Sequence, residues 1–109
     1  MLILTHNVFL KQIPAPIAIE IRLFQPTQLA KSWGCAYEID WPEGSKRMTA
    51  HGADALQALV IALQMIGSEL YASEYHKLGQ LFVEGQEGYG FPVAQNIRHL
   101  LVGLDAESF

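Results

Sequence analysis

With one cysteine in 109 residues, the chain can form no internal disulfide, and its fold has to hold by packing alone. That suits a reducing cytoplasm. Charge is scarce as well: 17% of residues are charged, the seven Lys and Arg are scattered without a cluster, and the net charge is a mild −4. Nucleic acid is therefore not an expected partner. No apolar run reaches the roughly 18 residues that a membrane span needs; the longest, Leu56 to Ile66, is interrupted by Gln57 and Gln64. The first residues are apolar but include His6 and Asn7, lack a basic n-region and meet no small-residue cleavage pattern, so neither a membrane span nor a signal peptide is expected. Repeats and low-complexity segments are missing too.

Signatures of chemistry are equally thin. The histidines His6, His51, His76 and His99 show no H-x-x-x-H or H-E-x-x-H pattern and no Cys/His ligand spacing, so no metal site is expected. Gly85-Gln86-Glu87-Gly88-Tyr89-Gly90-Phe91 is glycine-rich, yet it lacks the Lys-Ser/Thr of a P-loop and does not match the dinucleotide fingerprint. No cofactor is expected. Cys35 lies among apolar strand residues, where a desolvated thiol is inert; a pairing with His51 or His6 stays open because such pairs are spatial. Glu38 and Asp40 share a strand face and have the form of an acid/base pair, but on a wet sheet face they read as solvation matched by Arg22, Lys46 or Arg47 across the ladder.

What is present is a clear alternation of strands followed by one long helical pattern. Leu2 to Leu10 reads as a strand apolar on both faces, and Pro14 and Pro16 force a reversal after it. Pro16 to Phe24 alternates Ile17, Ile19, Ile21 and Leu23 against Ala18, Glu20, Arg22 and Phe24. Gln25 to Ser32 reads as a loop. Trp33, Cys35, Tyr37, Ile39 and Trp41 then form the apolar face of a third strand, and Lys46 to His51 returns as a fourth after the turn at Pro42-Glu43-Gly44-Ser45.

The helix spans the stretch between His51 and Gly79. Asp54 and Gln57 have capping-box spacing, and Gly79 suits a left-handed C-terminal cap. At 100° per residue, Leu56, Leu59, Leu63, Ile66 and Leu70 fall on one side as the expected core face, flanked by Ala55, Ala58 and Ala62. A helix of about 24 residues is about 36 Å long, whereas four strands make a sheet only about 20 Å across. The helix therefore either overhangs, with Tyr71, Tyr75 and His76 packing on the C-terminal segment or on another chain, or breaks near Gly67 or Ser73; overhang is the preferred reading. A short fifth strand over Gln80 to Glu84 and a last helix from Pro92 through Val93, Ile97, Leu100, Leu101 and Leu104 complete the pattern. The expectation is a single α+β domain over residues 1–109: an antiparallel meander of about four strands covered on one face by one long helix.

The order Trp33-x-Cys35-x-Tyr37-x-Ile39, Gly52-x-Asp54-Ala55-x-Gln57-Ala58-Leu59-x-x-Ala62-Leu63 and Gly90-Phe91-Pro92 resembles a family of small bacterial proteins carried as a domain of unknown function. The resemblance covers roughly Ile17 to Pro92 and implies a strand-rich first half and a long helix. It implies no activity.

Three functional readings remain. The first is a non-catalytic module that forms a homo-oligomer or binds a small protein partner, with Ile61 and Met65 on the helix's wet side and Tyr71 and Tyr75 on its overhang as the candidate interface. The second is a small-molecule-binding domain or minor enzyme, with Trp33, Trp41, Tyr89 and Phe91 around a pocket closed by the glycine-rich loop. The third is an antitoxin or immunity-type protein whose mildly acidic surface faces a basic partner.

Overall fold

A computed structural model describes residues 1–93. The last helix expected beyond Val93 lies outside the described residues. The architecture is α+β: an antiparallel open sheet, one main helix and one short helix. The described chain forms two compact units, one made of Met1–Asn7 and Ile19–Ala62, the other of Val8–Ala18 and the chain from Leu63 on.

In sequence order the elements are β1 (Leu2–Leu10), β2 (Ile17–Phe24), β3 (Thr27–Gln28), β4 (Trp33–Trp41), β5 (Gly44–Gly52), α1 (Ala55–Ala72), α2 (Glu74–Lys77) and β6 (Leu81–Phe82). The sheet runs β3-β4-β2-β1-β6, and β5 joins it alongside β4. Consecutive long strands are thus neighbours, as a meander requires. It has six strands where about four and a short fifth were expected. The addition is short: Pro26 has no N–H with which to carry β2 onward, and after it Thr27 and Gln28 pair with Gly34 and Trp33 inside the expected loop. β6 is the core of the expected fifth strand and pairs with β1 at Phe9 and Leu10.

The first unit is organised by β4. It pairs with β5 along its whole length, from Trp33 opposite Gly52 to Trp41 opposite Gly44, and with β2 through Ile39, Glu38 and Tyr37. Its alternation works as written: Cys35, Tyr37 and Ile39 are buried, as are Ile19, Ile21 and Leu23 of β2. Ile17, at the head of β2, is exposed.

The main helix begins with the anticipated capping box. The Asp54 carboxylate accepts from the Gln57 N–H at 2.7 Å, and the Gln57 side-chain oxygen accepts from the Ala53 N–H at 2.6 Å. Its end differs from the preferred reading. Rather than overhanging as one rod, the helix breaks at Ser73, which is extended (φ −69°, ψ 151°) and caps α2 by accepting from the His76 N–H at 3.2 Å while its hydroxyl donates to the Leu70 carbonyl at 2.7 Å. Gly79, at φ +70°, then lets Gln80 N–H return to the Tyr75 carbonyl at 2.9 Å.

The buried face of α1 is rotated from the expected one. Ala58, Ala62, Ile66 and Leu70 are fully buried, whereas Leu59 and Leu63 are half-buried and Leu56 is 68% exposed. The alanines are the centre of the stripe and the leucines its shoulder. Close approach explains the reversal: a Cβ added at Gly52 would lie 2.5 Å from the Ala58 nitrogen, so the helix start sits directly on the end of β5. By length and composition α1 is apolar enough to cross a membrane, and a third of that stretch is buried.

Candidate functional site

In the second unit three rings meet. Ser73 starts α2 and sets His76 on it; Gly88 and Gly90, at φ +85° and +87°, bracket Tyr89 and turn its side chain inward. Tyr71 and His76 lie edge to face with centroids 4.9 Å apart, Tyr71 and Tyr89 are also 4.9 Å apart, and His76 and Tyr89 are 5.5 Å apart at 81°. The Tyr89 hydroxyl bonds His76 Nδ1. Burial pushes the His76 imidazole below its ordinary value, which favours the neutral ring.

His76 and Tyr89 also line a cavity of about 230 Å³, together with Leu81, Phe82, Gln86 and Glu87. A second hollow of about 300 Å³ is lined by Phe9, Pro16, Phe82 and Glu84. Phe9 and Phe82 stack at 5.7 Å where β6 joins β1. The turn Val83 to Gln86 that shapes the first cavity places Gly85 at its third position with φ +83°, a conformation that type II turns reserve for glycine.

The polar face of the first unit carries a tight ion network. Arg22 Nε donates to Glu38 at 2.8 Å, its Nη1 donates to Glu20 at 2.8 Å and to Asp40 at 2.7 Å, and its Nη2 donates to Asp40 at 2.6 Å. Arg47 donates to the other oxygen of Glu38 at 2.9 Å and lies 4.7 Å from the centroid of the Phe24 ring. Hydrogen bonds from Arg22 hold both the Asp40 and Glu38 carboxyls below the usual carboxylate range, with Ser45 helping at Asp40 and Arg47 at Glu38. An acid/base pair needs one carboxyl kept protonated; here both are ionised, so the network is a brace rather than a proton relay. Among the described residues no group of His, Cys, Asp and Glu is arranged to hold a metal ion.

Cys35 is buried, its thiol donates to the Phe24 carbonyl at 3.3 Å, and burial pushes its pKa up. Its cross-strand partner is Ala50, while His51 pairs with Gly34. Cys35 and His51 thus point to opposite faces of the ladder and form no catalytic pair.

The other sequence candidates are dispersed. Trp33 and Trp41 stand at opposite ends of β4, eight residues apart, which at 3.3 Å per residue is about 26 Å, so they cannot wall one small pocket. Tyr89 lines the 230 Å³ cavity. Phe91 is buried and packs with Pro92 against Gly67 of α1. Tyr71, expected to pack on the C-terminal segment or another chain and offered as an interface residue, is 1% exposed inside the ring cluster against His76 and Tyr89, so it presents no outer surface. Ile61, Met65 and Tyr75 are half-buried.

Apolar side chains left outside on regular elements include Leu2, Ile3 and Leu4 on β1, Ile17 on β2, Met48 on β5, and Leu56 and Val60 on α1. The low charge of β1 and its two apolar faces are visible in the sequence. What hid them as a site is that their exposure depends on which edge the neighbouring strand occupies.

No curated protein and no solved structure matches the chain. Residues 5–93 match the model of a family described as a domain of unknown function, DUF6968; the chain belongs to that family.

Proposed function

We propose that the chain is a non-catalytic interaction module that works by assembling, most simply with a second copy of itself. The observation that carries this reading is the apolar surface left on regular elements: Leu2, Ile3 and Leu4 are 44–46% exposed and Leu56 is 68% exposed, on secondary structure that has no need of them outside. The chemistry leans the same way. The one thiol is buried, the paired carboxylates are neutralised by arginine, and His76 is engaged by Tyr89. A lone buried thiol suits a reducing compartment, and a cytoplasmic location forms part of the proposal.

Light scattering after size-exclusion chromatography over a dilution series tests the reading. A mass of twice 12.1 kDa that falls only on strong dilution is the expected result; a monomer throughout contradicts self-assembly.

The cavity beside His76 and Tyr89 favours a second reading, a binding site for a small ligand with an apolar body. Fragment screening that follows the Tyr89 and His76 ring resonances is its test. A screen that moves neither ring would retire it.

A further inference from the structure

The strand β1 is unusual in what it does not carry: Leu2 to Leu10 contains no Asp, Glu, Lys or Arg. On one side it has β2, and on the other the two-residue β6 covers it only at Phe9 and Leu10, continued by the Lys11 N–H bond to the Gln80 carbonyl at 2.9 Å. Past that point, from Leu2 to Asn7, that second edge meets no strand among the described residues. Six residues of β-strand give about 20 Å of backbone edge, along which every second residue directs its N–H and C=O away from β2. At its start Leu2 and Leu4 on one face and Ile3 on the other are apolar and nearly half exposed, and Thr5, His6 and Asn7 continue it without charge.

The sheet's other long edge is β5, and it is guarded. Lys46 and Arg47 stand on it, exposed, so laying two copies of β5 antiparallel brings cations together. Charged residues of this kind are how proteins keep edges from pairing. On β1 the guard is missing, and antiparallel pairing of the segment with itself sets no like charges opposite each other. A two-fold axis close to Leu4 makes the contact self-complementary, each residue meeting its counterpart reciprocally.

We propose that Leu2–Asn7 is a docking edge whose partner is the same strand of a second copy, paired antiparallel so that two sheets continue into one. This deepens the assembly reading and rests on it. Main-chain hydrogen bonds supply the attraction, and the flanking Leu2, Ile3 and Leu4 side chains of the two copies cover each other on both faces of the joined sheet.

The test is the mass of untagged protein, by light scattering over a dilution series, for the native chain and for Leu4→Lys and Leu56→Lys. Circular dichroism confirms that each variant is folded. Leu4→Lys sets two cations about the axis and should move the dimer-to-monomer midpoint at least about tenfold higher in concentration, whereas Leu56→Lys, on α1, should leave it unchanged. A folded Leu4→Lys that dimerises like the native chain overturns the docking edge while the assembly reading stands. Loss of the dimer in Leu56→Lys alone also overturns it and moves the interface to the helix. A native chain that is monomeric at every concentration overturns both.

Discussion

Gly67 shows how much a single hydrogen can decide. It lies mid-helix, where alanine is ordinarily preferred by about 1 kcal/mol. A Cβ there would overlap the Pro92 carbonyl oxygen and press on Phe91, and since the obstacle is backbone, one of the two segments must move. Overpacking of that kind costs roughly 3 kcal/mol and outweighs the propensity gain. Gly67→Ala should therefore lower the melting temperature; an unchanged or raised value would show that the Phe91–Pro92 segment does not sit on this face. Arg22 is the polar counterpart. Arg22→Met leaves Glu20, Glu38 and Asp40 crowded without their shared cation and should cost roughly 1–3 kcal/mol at low salt, less at high salt because the network is partly exposed. A loss independent of salt would argue that packing of the arginine stem, not its charge, is what the sheet uses. Both residues are visible in the sequence, but only Arg22 can be read there: cross-strand carboxylates two apart call for a cation, whereas nothing local to Gly67 announces that residues 91 and 92 come back to it.

At the scale of elements, strand periodicity and caps were legible and relative placement was not. Pro16 to Phe24 and Trp33 to Trp41 alternate so regularly that the buried residues at their centres follow from the pattern, though Ile17, Trp33 and Trp41 at the strand ends do not share that burial, and Asp54, Gln57 and Gly79 mark helix ends because capping is a local interaction. Which face of α1 turns inward is not local. Large leucines dominate a hydrophobic tally, yet the backbone approaches most closely where side chains are small, so Ala58 and Ala62 take the interior and Leu56 is left outside. Ser73 was legible only as one alternative. Its hydroxyl both accepts from the His76 N–H and donates to the Leu70 carbonyl, so the break has a chemical cause. Ser73→Ala should cost about 1 kcal/mol and loosen the packing of His76 against Tyr71, seen as weaker near-ultraviolet tyrosine dichroism. Full retention of that signal would show the rings to be held without the cap.

For the molecule as a whole, the titrating groups give stability a direction with pH. Glu38 and Asp40 have folded values below their unfolded ones, so their contribution is present above about pH 4 and is lost as pH falls through the folded values. His76 is also depressed, by burial: the unfolded chain takes up its proton near pH 6.5 while the folded ring resists, so stability present above that pH declines as pH falls toward the folded value. Chemical denaturation from pH 8 to pH 5 should show this shallow loss, and His76→Gln should flatten it; an equal slope in the variant would place the titration elsewhere.

The central claim is that β1 meets a second β1. Hydrogen exchange of the native chain at two concentrations, one well above and one well below the midpoint of assembly, tests it most directly because it reports on the backbone groups that would form the new ladder. Slow exchange within Leu2–Asn7 at the higher concentration, lost on dilution while β4 and β5 stay equally protected, is the predicted result. Exchange in Leu2–Asn7 that is the same at both concentrations would contradict it.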